Sequence, residues 1–135
     1  MDQALTPYLV FSRNCKEAMR FYTHVFEGQI TRELTFAEAP PSLPFAVKED
    51  DKHLIFDMEL RTRYFRLKAS DDITGNPLHM GTNVSLFLEL ESTELAKAVF
   101  KALATKGNII FDFAQHFGML RDQFEIQWMI TVQGS

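Results

Sequence analysis

Two carboxylates and two cations stand at alternate positions in one stretch of the sequence: Asp57 and Glu59 in HLIFDMEL, then Arg66 and Lys68 in RYFRLKA. Side chains two apart along an extended chain share a face, so each pair presents its charges on one side of a strand. Joined by a hairpin turning near Arg61 to Arg63, the two strands would offer a polar surface for a polar or zwitterionic small molecule. A carboxylate crowded by such neighbours could have a raised pKa and act as a general base. The competing reading is that the four charges sit in water or pair with each other and bind nothing. Other reactive side chains are scattered. His24 falls on the outer face of a helix, His53 at the start of a strand, and His79 and His116 in or beside loops. They make a metal site only if folding brings two of them together. Cys15 falls in a first helical turn, where the helix dipole lowers a thiol pKa, although a small, partly buried residue is the plainer role.

The elements that must position these groups are legible from periodicity. PYLVF reads as a short strand. In NCKEAMRFYTHVFEG, Asn14 is a good N-cap with Glu17 three residues on, a capping-box pattern. Ala18, Phe21, Tyr22, Val25 and Phe26 then recur at helical spacing, and Gly28 sits where a left-handed helix-ending residue belongs. QITRELTF resumes as a strand, and AEAPPSLPF, with Pro40, Pro41 and Pro44, is an irregular loop. The polar, turn-rich DDITGNPLHMGTN links this half to a second one. There NVSLFLEL is a strand, and Ser92 or Thr93 caps a helix with apolar Leu95, Val99, Ala102 and Leu103. Gly107 ends that helix, and NIIFDF, HFGMLRD and FEIQWMITV read as three strands. Both halves thus run strand, capped helix, Gly, three strands. Their offset of about 78 residues is too long for a solenoid unit and suits a duplicated half-domain. The fold class is α+β, two βαβββ modules over about residues 5–72 and 82–133 of a single domain spanning 1–135. The two sheets are expected to enclose a cup with the helices outside, where a site would be.

Bulk composition excludes several functions. At 135 residues there is no room for separate catalytic and cofactor domains. Thirteen Phe imply a core or cavity built from aromatic rings. A net charge of −4 argues against a nucleic-acid surface, which would be basic. One Cys excludes an internal disulfide and fits a reducing compartment. The opening MDQALTPYLVF has no basic region followed by a long apolar run, and no later stretch could span a bilayer. These features place the chain in the cytoplasm, away from membranes and nucleic acid.

Three segments carry a family likeness. PYLVFSRNCKEAMRFYTHVFEGQI resembles the opening of PhnB-like proteins, with their A-x-x-FY-x-x-VF helix. IFDMELRTRYFRLKASD resembles their central hairpin, which ends in Ser-Asp. FGMLRDQFEIQWMI resembles their closing G-x-x-x-D-x-F-G-x-x-W segment, with Glu125 in place of the turn Gly. The likeness implies the vicinal-oxygen-chelate superfamily of glyoxalases, dioxygenases and bleomycin- and fosfomycin-resistance proteins, a homodimer, and in the enzymes a divalent Lewis-acid metal bound in the cup. It also implies where the ligands should stand: at Pro7, near Lys68, at Ser85 and at Met129. Such metals want His nitrogens or carboxylate oxygens, and none of these four residues supplies one. No metal and no cofactor is therefore expected, and no Gly-rich loop suggests the nucleotide-like donor that methyl transfer would need.

The same positions set which side chains would line the cup: Phe11 with Leu9, then Asp57, Glu59, Arg66, Lys68, Ser85, Phe87, Glu89, Gln127 and Met129. Phe56, Met58 and Leu60 would lie behind, against a helix, as would Trp128. The leading expectation is metal-independent binding of a small organic molecule. The rivals are a lyase, isomerase or dioxygenase with an unorthodox metal site, in which Asp57 and Glu59 would be two ligands, and a non-catalytic scaffold.

Overall fold

A computed structural model describes residues 4–134; the remainder of the 1–135 span lies outside the described residues. The chain divides into two compact units, Met1–Leu78 and His79–Ser135, and the division falls inside the polar linking stretch.

In the first unit, β1 (Tyr8–Phe11) leads into α1 (Cys15–Phe26), followed by β2 (Gln29–Thr35), β3 (Ile55–Arg61) and β4 (Arg66–Asp71). The sheet order is β1-β4-β3-β2, with β1 and β4 parallel and the remaining pairs antiparallel. The second unit repeats the plan. Its β5 (Leu86–Leu90), α2 (Thr93–Leu103), β6 (Asn108–Ala114), β7 (Phe117–Arg121) and β8 (Gln127–Val132) give the order β5-β8-β7-β6. The predicted strand–helix–three-strand module is present twice.

One face of each sheet packs on its helix. In the first unit Phe11, Met58, Leu60, Leu67 and Ala69 meet Cys15, Ala18, Met19, Tyr22 and Phe26 of α1, all buried. In the second, Leu88, Leu90, Leu120, Trp128 and Ile130 bury the Ala96, Val99, Phe100 and Leu103 stripe of α2. Each large aliphatic side chain so enclosed stabilises its unit by roughly 1.5–3 kcal/mol relative to exposure.

The helix ends depart from the simplest reading. Ser92 caps α2 as expected, its Oγ accepting from the Leu95 N–H at 3.1 Å. Asn14 makes no side-chain cap, and the expected capping box with Glu17 does not form. A residue distant in sequence takes over: Asp71 Oδ1 accepts from Cys15 N–H at 2.9 Å, and its Oδ2 from Ile55 N–H at 2.9 Å. At the C-termini the left-handed residues are Glu27 (φ 50°) and Lys106 (φ 58°), each one position before the expected glycine. The glycines serve close packing instead. A Cβ on Gly28 would lie 2.9 Å from the Arg61 carbonyl oxygen, and one on Gly107 would overlap the Arg121 carbonyl. Gln29 pairs with Arg61, and Asn108 with Arg121, so the two glycines hold equivalent places at the start of the outer strand.

Candidate functional site

The helix-free face of the first sheet carries the charged row. Asp57, Glu59 and Arg61 alternate with buried Met58 and Leu60, and Arg66 and Lys68 alternate with buried Leu67 and Ala69. The antiparallel register sets Glu59 opposite Lys68 and Arg61 opposite Arg66. Arg32 joins from β2, opposite Glu59. Asp57 lies between two cations, with Oδ2 at 2.5 Å from Arg32 Nε and Oδ1 at 3.0 Å from Lys68 Nζ. Glu59 accepts from Thr31 Oγ1 at 2.7 Å and Arg61 Nε at 3.1 Å, with Arg66 Nε 3.6 Å away. Arg66 also donates to Thr6 Oγ1 at 2.6 Å. The four predicted charges are therefore brought together, and they are engaged with one another and with Arg32 and Arg61.

That network decides one expectation. The Thr31 hydroxyl above all holds the Glu59 carboxyl below its ordinary pKa, against the opposing effect of burial and with Arg61 and Arg66 adding to the lowering. A raised-pKa general base at Glu59 is not what the fold builds, because hydrogen bonds and opposite charges favour the ionised form.

Beside the row lies a hollow of about 440 Å³ lined by Tyr8, Val10, Phe36, Phe45, Phe56 and Ser70, together with Asp71, Asp72 and Thr74. Tyr8 pairs with Lys68 and Val10 with Ser70 across the parallel β1–β4 ladder, so charged row and hollow are one continuous surface. Phe36 and Phe56 meet edge to face, with ring centroids 5.5 Å apart. Phe56 reaches this side because the β2–β3 register slips between Leu34/Asp57 and Thr35/Ile55, leaving it without a partner of its own in the ladder. Such a slip re-aims side chains. It puts Ile55 on the buried side and corrects the expected packing of Phe56 behind the sheet with Met58 and Leu60.

Phe11 also requires correction as a lining residue. It is 1% exposed and belongs to the buried face, while Tyr8 and Val10 take the open side. The parity expected from Pro7 is inverted along β1. Every residue of PYLVF is apolar or aromatic, so alternation within that segment cannot reveal which face is buried.

The remaining predicted lining residues lie in the second unit. Phe87, 58% exposed, and Glu89 stand on the helix-free face of β5, and Met129, opposite Phe87, is half-buried. Gln127 is buried and acts as a latch. Its Nε2 donates to Ser85 Oγ at 2.7 Å and Thr82 O at 3.3 Å, and its Oε1 accepts from Arg121 at 3.1 Å. Ser85 and Gln127 thus tie the chain entering β5 to β8. Trp128 packs on the helix side as expected and donates to the buried Asp122 Oδ2 at 2.9 Å.

The donors do not fit a divalent metal. Tyr8 faces Lys68 on one ladder and Phe87 faces Met129 on the other. Among the described residues no three of His, Cys, Asp and Glu group closely enough to hold an ion. Cys15 is fully buried and forms no disulfide. Its burial foremost, then the Asp71 and Glu33 charges, push the thiol pKa upward, opposite to the helix-dipole effect.

Two parallel-edged βαβββ units, each a four-stranded mixed sheet on one helix, define the glyoxalase/bleomycin-resistance class of fold. Within it the chain belongs to the family described as 3-demethylubiquinone-9 3-methyltransferase, whose pattern it matches over residues 3–131, in the PhnB-like branch of the vicinal-oxygen-chelate superfamily. It is similar to the protein PA1353 from Pseudomonas aeruginosa, at 29% identity and a TM-score of 0.83, covering 97% of this chain and 98% of that one. Protein YjdN of Escherichia coli is 27% identical over 95% of this chain and 94% of its own length. The fosfomycin resistance protein FosX from Listeria monocytogenes, at 8% identity and a TM-score of 0.64 over 98% of this chain and 92% of that one, shares the fold alone.

The methyl transfer in the family's description implies a methyl donor, and the residues present do not fit a nucleotide-like one. Such donors are cradled where a strand runs through a Gly-rich turn into a helix. Here β1 reaches α1 through Ser12, Arg13 and Asn14, and β5 reaches α2 through Glu91 and Ser92.

Proposed function

We propose that this protein binds a small organic molecule without a metal, on the helix-free face of its first sheet. The observation that carries the reading is the aromatic hollow running into the charged row of Asp57, Glu59, Arg66 and Lys68. A concave site of a few hundred Å³ with apolar walls and a few fixed polar groups is the usual form of a small-molecule pocket. The apolar walls supply affinity, and the self-paired charges supply orientation without leaving an unpartnered buried ion. Phe87, Glu89 and Met129 extend the proposal to the open face of the second sheet. A cytoplasmic homodimer is part of the same reading: no described helix is long and apolar enough to cross a membrane. Exposed Val84, Phe87 and Phe111 are the kind of surface a partner covers.

The test is a ligand-observed NMR screen of small organic molecules on protein dialysed against EDTA, repeated with Ser70→Trp, which fills the hollow. Binders that survive EDTA and disappear in the variant support the proposal. Binding that requires added manganese or zinc would sink it in favour of a metal enzyme, and a protein with no binders would be left as a scaffold.

A further inference from the structure

The walls of the hollow point to the charge of its ligand. Tyr8, Phe36, Phe45 and Phe56 supply four aromatic rings, and the only formally charged residues among its lining are the carboxylates Asp71 and Asp72. Aromatic faces carry negative potential and attract a cation placed against them. Asp71 is 5% exposed, and its carboxylate is held on the helix side of the sheet by the Cys15 and Ile55 N–H groups, so Asp72 is the carboxylate left to meet a ligand. Asp72 is half-buried, orders the adjacent turn through the Thr74 amide and hydroxyl, and lines the hollow. Lys68 flanks the hollow beside Tyr8, but its ammonium is drawn to 3.0 Å from the Asp57 carboxylate. A neutral apolar molecule would gain from the rings and nothing from the carboxylates. An anion would meet the Asp72 carboxylate as repulsion.

We infer that the hollow receives an organic cation, an ammonium group bearing small apolar substituents, with Tyr8, Phe36, Phe45 and Phe56 around it and Asp72 among its walls. The inference rests on the binding function proposed above and specifies its ligand class.

Choline and 3,3-dimethylbutan-1-ol have the same shape and differ in charge, and each is titrated into EDTA-treated protein while the amide signals of Tyr8, Val10, Ser70 and Thr74 are followed by NMR. Choline should bind at least about tenfold more tightly than the neutral alcohol, the scale expected when cation–π contacts and a carboxylate act together. Tyr8→Leu and Asp72→Asn should each weaken choline and leave the alcohol unchanged. The amide oxygen introduced by Asp72→Asn still accepts from the Thr74 N–H, so that variant keeps the turn while losing the charge. Equal affinity for the two probes overturns the cation inference while leaving metal-free binding intact. The cation inference also falls alone if neither probe moves these signals but neutral or anionic molecules from the screen do. If no molecule of any charge perturbs them, the inference and the binding function fall together.

Discussion

At the scale of single residues, much of the unusual chemistry is structural. Asp71 closes the central hairpin and takes the first free N–H of α1, so the Ser-Asp ending of that hairpin is explained by helix capping at a distance. Asp122 has a different role in the second unit, holding the turn between β7 and β8 by accepting from Phe124 and Ile126 N–H and from the Trp128 indole, which accounts for the Asp, Phe and Trp of the closing motif. The role of Asp71 is not legible in sequence, because both of its partners are set by tertiary pairing. Cys15 is legible only as two competing readings, and burial decides between them. A thiol whose folded pKa is raised favours its neutral form in the fold. Its contribution to stability is intact below the ordinary thiol value of 9.0 and is lost as pH climbs above it. Urea unfolding followed from about pH 8 to about pH 10 should therefore show a steeper loss of stability for the native protein than for Cys15→Ala. Equal slopes would mean that the thiol is not held neutral.

At the scale of elements, periodicity locates the strands and helices well and their exact ends and faces poorly. Alternation is informative where apolar and charged residues interleave, as in IFDMELR, and silent where all are apolar, as in YLVF. A register slip such as the one at Phe56 leaves no sequence signature and moves a side chain across the sheet. The turns show the same limit. Gly28 and Gly107 read as left-handed helix ends, yet the structure needs them because a carbonyl lies against each Cα. Gly107→Ala should lower the unfolding free energy by about 2–3 kcal/mol through backbone displacement; a neutral result in urea denaturation would show that the strand edge gives way freely. Glu125 is the reverse case. It stands at the motif's glycine position and keeps the left-handed geometry, φ 67°, so the turn before β8 is retained with a strained residue. Glu125→Gly should raise stability by up to about 1 kcal/mol, the steric relief exceeding the added chain entropy. A loss of stability would show that Glu125 makes an interaction worth more than the strain.

At the scale of the whole molecule, duplication kept the scaffold and let the two open faces diverge. The first presents Asp57, Glu59, Arg61, Arg66 and Lys68, and the equivalent positions of the second present Phe117, Met119, Arg121, Gln127 and Met129. Equivalent register with different chemistry is what a repeat retains when packing constrains one face of each sheet and function the other. The same comparison bears on the metal. A divalent ion in this superfamily's enzymes needs His or carboxylate ligands held on the open faces, and here the carboxylates of the first face are already bound to Arg32, Lys68, Arg61 and Thr31. Recruiting Asp57 to a metal would break two ion pairs and place the ion beside an ammonium and a guanidinium, a like-charge cost that no third ligand among the described residues is placed to offset. Calorimetric titration with manganese, nickel and zinc should therefore show no stoichiometric site, and EDTA should leave Tm unmoved. Tight one-to-one binding of any of the three, with a rise in Tm, would mean that the ion-paired row rearranges into a ligand set, and Lys68→Ala should then strengthen it by removing the competing cation.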